Sequence, residues 1–181
     1  MKSYYYKVGG HAFAIHFADE ANDDRLIPSF APFLLEGKPE EALLFTMTVD
    51  DSLDWQEEGD EIGVFDCGGC DYGVYRMADG GYQYAVNDVD GVLCSRMRSN
   101  ADFSQCQVSL FGRTFVQRNY GLNNALMMAY AFAAACTKTM AWPSMMRTTG
   151  LSSFIRSQPG MLSYQRRVCV LLPVPLGAVI R

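Results

Sequence analysis

Residues 62–110 read IGVFDCGGCDYGVYRMADGGYQYAVNDVDGVLCSRMRSNADFSQCQVSL. Short runs rich in Val, Tyr and Phe alternate there with turn signals at Gly68-Gly69, Asp79-Gly80-Gly81, Asp90-Gly91 and Ser99-Asn100. Gly and Asn tolerate the backbone angles of tight turns, and β-branched and aromatic side chains suit a pleated sheet. The spacing predicts an antiparallel meander with strands at Ile62 to Asp66, Gly73 to Met77, Tyr82 to Asn87, Val92 to Arg98 and Gln105 to Leu110.

The pattern extends in both directions. Upstream, Tyr4 to Val8 and His11 to Phe17 flank Gly9-Gly10, a hairpin signal, and Ala42 to Val49 reads as a buried strand. Between them Asp23 to Gly37, with Pro28, Pro32 and the apolar Phe33-Leu34-Leu35, reads as an excursion, and Asp50 to Asp60 as an acidic connection. Downstream, Asn123-Asn124 offers an N-cap for an Ala-, Leu- and Met-rich helix from Ala125 to Cys136 with little polar face. The expected fold class is α+β: an antiparallel β-meander or sandwich-like body over residues 1–137, closed by one C-terminal apolar helix. An irregular, weakly ordered basic tail would occupy 138–181. A helix of this composition has to be covered by something.

Composition bounds the rest. Of 181 residues 49% are apolar and 19% charged, which suits one packed domain with an appendage. Up to Lys138 there are ten Lys and Arg against twenty Asp and Glu, net −10, and the tail adds five Arg and no acid. An acidic body argues against nucleic acid as partner. Lys2 is followed by Ser3-Tyr4-Tyr5-Tyr6-Lys7 rather than an apolar leader, and Lys138 and Pro143 interrupt the apolar run from Leu126 to Met146. The expectation is a cytoplasmic protein with no membrane partner, whose six Cys are free thiols.

Cys67-Gly68-Gly69-Cys70 is the one local motif with chemistry in it. Such a pair can be a redox dithiol or half of a zinc site, with Cys94 and Cys106 as possible further thiolates. The competing reading is a Gly-Gly hairpin turn flanked by small side chains, since no second CxxC or His pair follows. His11 and His16 lie five apart on one strand, so they face opposite sides and do not form a relay. The acid pairs Asp23-Asp24, Glu40-Glu41, Asp50-Asp51 and Glu57-Glu58 read as solvated connections rather than catalytic carboxylates. No catalytic, cofactor-binding or metal residue is assigned beyond Cys67 and Cys70 as metal candidates.

Leu122-Asn123-Asn124-Ala125-Leu126-Met127-Met128-Ala129-Tyr130-Ala131-Phe132-Ala133 resembles the segment that ends a β-rich N-terminal domain in bacterial proteins similar to HPr kinase/phosphorylase. The resemblance implies that a P-loop kinase domain should follow. The G-x-x-x-x-G-K-[ST] pattern that holds phosphates occurs nowhere in the chain.

Residues 139–181 show no sustained period of 2 or 3.6. Read as the opposing DNA strand, the tail permits the missing motif. Backwards from Gly177 to Arg167 it allows P-S-G-T-G-K-S-T-H-T-R, in which G-T-G is forced by Pro175, Val174 and Pro173. Backwards from Arg156 to Met146 it allows L-M-N-D-D-N-P-V-V-R-I, similar to the acidic motif of these kinases, with P-V-V forced by Gly150, Thr149 and Thr148. An inversion of the kinase-coding segment, or an assembly error imitating one, accounts for both matches. A basic partner-binding arm built on Arg147, Arg156, Arg166, Arg167 and Arg181 is the competing reading, and Pro143, Pro159, Pro173 and Pro175 interrupt it.

The resemblance implies a non-catalytic docking or regulatory module without cofactor or nucleotide. It would meet a protein partner, or a second copy, through the helix face of Ala125 to Phe132. The alternatives are the inactive orientation of an ATP-dependent serine kinase locus, and a CxxC thiol or zinc protein.

Overall fold

The computed structural model describes residues 1–66 and 71–140. Eight strands form one sheet: β1 Lys2–Val8, β2 His11–Phe17, β3 Leu43–Val49, β4 Asp60–Asp66, β5 Asp71–Arg76, β6 Tyr82–Asn87, β7 Leu93–Ser99 and β8 Gln105–Leu110. One helix, α1, runs from Phe115 to Met140. The α+β class, the meander and the C-terminal helix are therefore as expected, and every strand falls within about two residues of its sequence boundary.

The sheet order is β1-β2-β3-β8-β7-β6-β5-β4. β4 to β8 form the antiparallel meander, while β3 pairs in parallel with both β2 and β8. The β1–β2 hairpin turns on Gly9 and Gly10, at φ +56° and +87°, a region that costs glycine little. The excursion after β2 forms two short 3-10 turns, Asp24–Leu26 and Pro28–Phe33. It then runs beside β1, where Leu35 N–H donates to Tyr5 C=O at 2.8 Å.

One face of the sheet is apolar. Phe13, Ile15 and Phe17 of β2, Phe45, Met47 and Val49 of β3, Met97 of β7 and Val108 of β8 form a core with Leu122, Ala125, Leu126, Ala129 and Ala133 of α1. Those helix positions make a single stripe at helical spacing. The stripe that the sequence leaves uncovered is thus covered by the chain's own sheet, and Ala131 is the exposed member of the run Ala125–Phe132. Gly121 allows the close approach: a Cβ there would lie 2.9 Å from the Cys94 carbonyl oxygen. Ser95 Oγ donates to Gly121 C=O at 3.0 Å across the same contact.

The helix starts earlier than Asn123. Thr114 Oγ1 accepts from Gln117 N–H at 3.2 Å, and Gln117 Oε1 accepts from Thr114 N–H at 3.4 Å. This is a capping box, which satisfies donors that the first helical turn leaves free. Asn123 and Asn124 are interior helix positions, and their amides are used sideways. Asn123 accepts from Ser29 Oγ at 3.1 Å, and Asn124 accepts from the Tyr72 hydroxyl at 2.5 Å.

Candidate functional site

The face of the sheet away from α1 is polar. By strand alternation it carries His16, Thr46, Thr48, Gln107, Arg96, Arg98, Gln83 and Tyr75. The connection 50–59 crosses it as a strap. The strap joins β3 in mid-sheet to β4 at the far edge, five strand spacings or roughly 24 Å away. Ten residues extend to at most about 35 Å, so the strap has little slack.

Side chains of the meander hold the strap down. Gln83, fully buried, accepts from Glu58 N–H at 2.9 Å and donates to Gln56 C=O at 3.1 Å. Arg96 donates to Trp55 C=O, lies 3.8 Å from Glu57 and stacks over the Phe111 ring at 5.3 Å. Arg98 pairs with Glu58 at 2.7 Å and sits 4.8 Å over the Trp55 ring. The Tyr75 hydroxyl donates to Glu57 Oε2 at 2.9 Å. Burial, followed by that bond, pushes the Tyr75 phenol up to about 12.

A second cluster fixes the start of the strap to the helix. Arg118 Nη2 donates to Asn22 Oδ1 at 2.7 Å and to the Asp51 carboxylate. Asn22 Nδ2 donates to the same carboxylate at 2.9 Å, and Leu110 N–H reaches its other oxygen at 3.3 Å. Both partners of the ion pair are about four-fifths buried. The β2–β3 excursion, the strap, β8 and α1 meet at this cluster.

The acid pairs do lie in connections, and Glu40, Glu41, Glu57 and Glu58 are exposed as expected, whereas Asp23 and Asp51 are largely withdrawn from solvent by their partners. Asp51, Glu57 and Glu58 are bound to the sheet or the helix, Asp23 pairs with Arg25 at 2.7 Å, and Glu41 pairs with Lys7 at 2.8 Å. Hydrogen bonds from Arg25 hold the Asp23 carboxyl down at about 2. Sequence reasoning passed over Gln83, Tyr75, Arg96 and Arg98. The available signal was Arg96-Met97-Arg98, two cations on one strand face, which need partners from elsewhere in the chain.

Cys67 and Cys70 lie outside the described residues. Cys94 and Cys106 do not complete a thiolate site together. Phe111 N–H donates to Cys94 C=O at 2.9 Å, which places Cys94 level with Phe111, five residues or roughly 17 Å along β8 from Cys106. Burial pushes the Cys94 thiol up to about 11 and the Cys106 thiol up to about 12. Among the described residues no group of three His, Cys, Asp or Glu is disposed to hold a metal ion. His11 and His16 do face opposite sides. His11 meets the Tyr130 ring of α1 at 6.3 Å, and His16 Nδ1 lies 2.8 Å from Ser3 Oγ on the other face, where burial lowers its pKa.

No family model, curated protein or solved structure matches this chain. Among the described residues no helix is long and apolar enough to cross a membrane. The arrangement therefore has to be read from its own chemistry. Its polar groups are spent on holding a strap and a helix in place, and the strap presents Glu57 and Glu58, 52% and 66% exposed, to solvent.

Proposed function

We propose that this chain is a non-catalytic docking or regulatory module, comparable to the β-rich N-terminal domain of HPr kinase-like proteins and separated from an ATP-binding domain. The observation that carries the reading is the use made of α1. The Leu122–Ala133 segment that bears the resemblance spends its apolar stripe on its own sheet. A β-rich unit closed by that helix has a core of its own. Partner contact falls to what remains outward, the exposed Ala131 and half-buried Met127 on the helix and the acidic strap on the opposite face. Titration calorimetry of the full chain with Mg·ATP should give no saturable heat, and a saturable response would overturn the reading.

The forced G-T-G and P-V-V translations favour a second reading at the level of the gene, that the locus encodes an ATP-dependent serine kinase in inactive orientation. Sequencing the gene and its downstream flank tests it. A reverse strand that does not spell the phosphate loop ends that idea. A thiol or zinc function would rest on Cys67 and Cys70, and Cys94 and Cys106 lie too far from each other to serve one metal together.

A further inference from the structure

The two edges of the sheet are treated differently. β1 is lined by the excursion, through Leu35 N–H on Tyr5 C=O and a bridge between Tyr6 and Leu34. β4 is the opposite edge, and among the described residues its strand partner is β5 alone. An edge strand carries a row of backbone donors and acceptors, which proteins guard with charges, bulges or a cover. β4 is guarded over its first half, by Asp60 and Glu61 and by the bulge between Glu61 and Gly63. The guard stops there. Ile62 and Val64 are 41% and 58% exposed, and Val64 stands opposite Gly73, which has no side chain to cover it.

We propose that β4 takes an extended segment of a partner protein as an added antiparallel strand, one in which alternate β-branched residues are followed by a pair of cations. Main-chain bonds to a sheet edge give affinity, and the side chains beside them give selectivity. The β-branched residues lie beside Val64 and Ile62 and extend the exposed apolar row. The cations lie beside Glu61 and Asp60, which have no ion-pair partner among the described residues. The Glu58 carboxylate, 66% exposed just upstream, adds to the same negative field. Antiparallel addition continues the pattern of β4 to β8. A second copy is a poor occupant, because it brings the same acids to the contact on a body with twenty Asp and Glu against ten Lys and Arg up to Lys138. The proposal rests on the docking-module reading and names the partner's chemistry. The two fail separately, the reading on saturable heat with Mg·ATP and the proposal on a peptide titration.

Titration of the full-length protein with the blocked peptide Val-Thr-Val-Arg-Arg, followed through the backbone amide resonances of residues 60–64, tests the proposal. Those amides should shift saturably while the α1 amides stay in place. The same peptide N-methylated at Val, Thr and Val keeps its charge but has no strand N–H to give, and should bind about tenfold more weakly or worse. Val-Thr-Val-Glu-Glu should be weaker by a similar factor, and Glu61→Lys should weaken the Arg peptide and strengthen the Glu peptide, with unshifted α1 amides as the control for folding. Absence of a saturable shift, equal binding of the N-methylated peptide, or indifference to Glu61→Lys would overturn the proposal. So would slow hydrogen exchange at every amide of 60–64 in the free protein, because an open edge leaves outward amides unprotected. Such protection, if it persists on dilution, assigns the edge to the protein's own chain, and if it is lost on dilution, to a second copy.

Discussion

Arg118, in the first turns of α1, donates to the carboxylate of Asp51, a residue 67 positions earlier at the start of the strap. The pair is partly buried and shares Asn22 as a third member. Removing either charge leaves the other in a poorly hydrated site, so Arg118→Ala and Asp51→Ala should each lower stability by about 2 kcal/mol. The double variant should lose much less than the two single losses together, because the second truncation removes the group stranded by the first. Urea unfolding of the four proteins in one buffer measures this, and additive losses would mean that the pair is not coupled.

Gln83 gives a prediction about the strap alone. It is fully buried, and both of its amide atoms bond to strap backbone. Gln83→Leu keeps the volume and strands Glu58 N–H and Gln56 C=O, a cost of about 1–3 kcal/mol. Hydrogen exchange should quicken over 55–59 and stay slow over β7 and β8. Unchanged exchange in the strap would show that Arg96 and Arg98 hold it without Gln83.

The helix start is testable by its cap. Thr114→Ala removes the acceptor for Gln117 N–H and should cost about 1 kcal/mol, while Thr114→Ser should be close to neutral. Thermal unfolding distinguishes these. If the helix nucleated at Asn123, Thr114→Ala would be silent and Asn123→Ala would carry the loss.

The strands were legible because their signals are local. Gly9-Gly10 and Gly80-Gly81 mark turns between alternating runs, and the Cys94 to Arg98 alternation fixes which side chains face the core. The parallel pairings of β3 were not legible: the one with β2 depends on how the excursion 18–42 crosses back, the one with β8 on where the acidic segment 50–59 carries the chain, and neither segment states a direction. The helix start was misplaced for a different reason. Thr114-Phe115-Val116-Gln117 has capping-box spacing, but exposed Phe115 and Val116 break the apolar period, and Asn123-Asn124 sits where a cap would suit the Ala-rich run. The strap contacts pair residues up to 67 positions apart, so only the two arginines on one face of β7 hinted at them.

Tyr75 supplies a pH dependence. Its phenol, pushed up to about 12 by burial and by donation to Glu57, ionises near 10 in the unfolded chain. The folded state therefore holds the proton more tightly, and the stability this contributes is complete below pH 10 and is lost as pH rises from about 10 towards 12. The buried Tyr84 and Tyr6, also raised by desolvation, act in the same direction. Tyr75→Phe should lower stability at pH 7 by about 1 kcal/mol through the lost bond to Glu57, and it should flatten part of the decline above pH 10. Melting temperatures of wild type and Tyr75→Phe between pH 7 and 11.5 make the comparison. A variant that declines as steeply as wild type would show that Tyr75 ionises no later in the folded protein than in the unfolded chain.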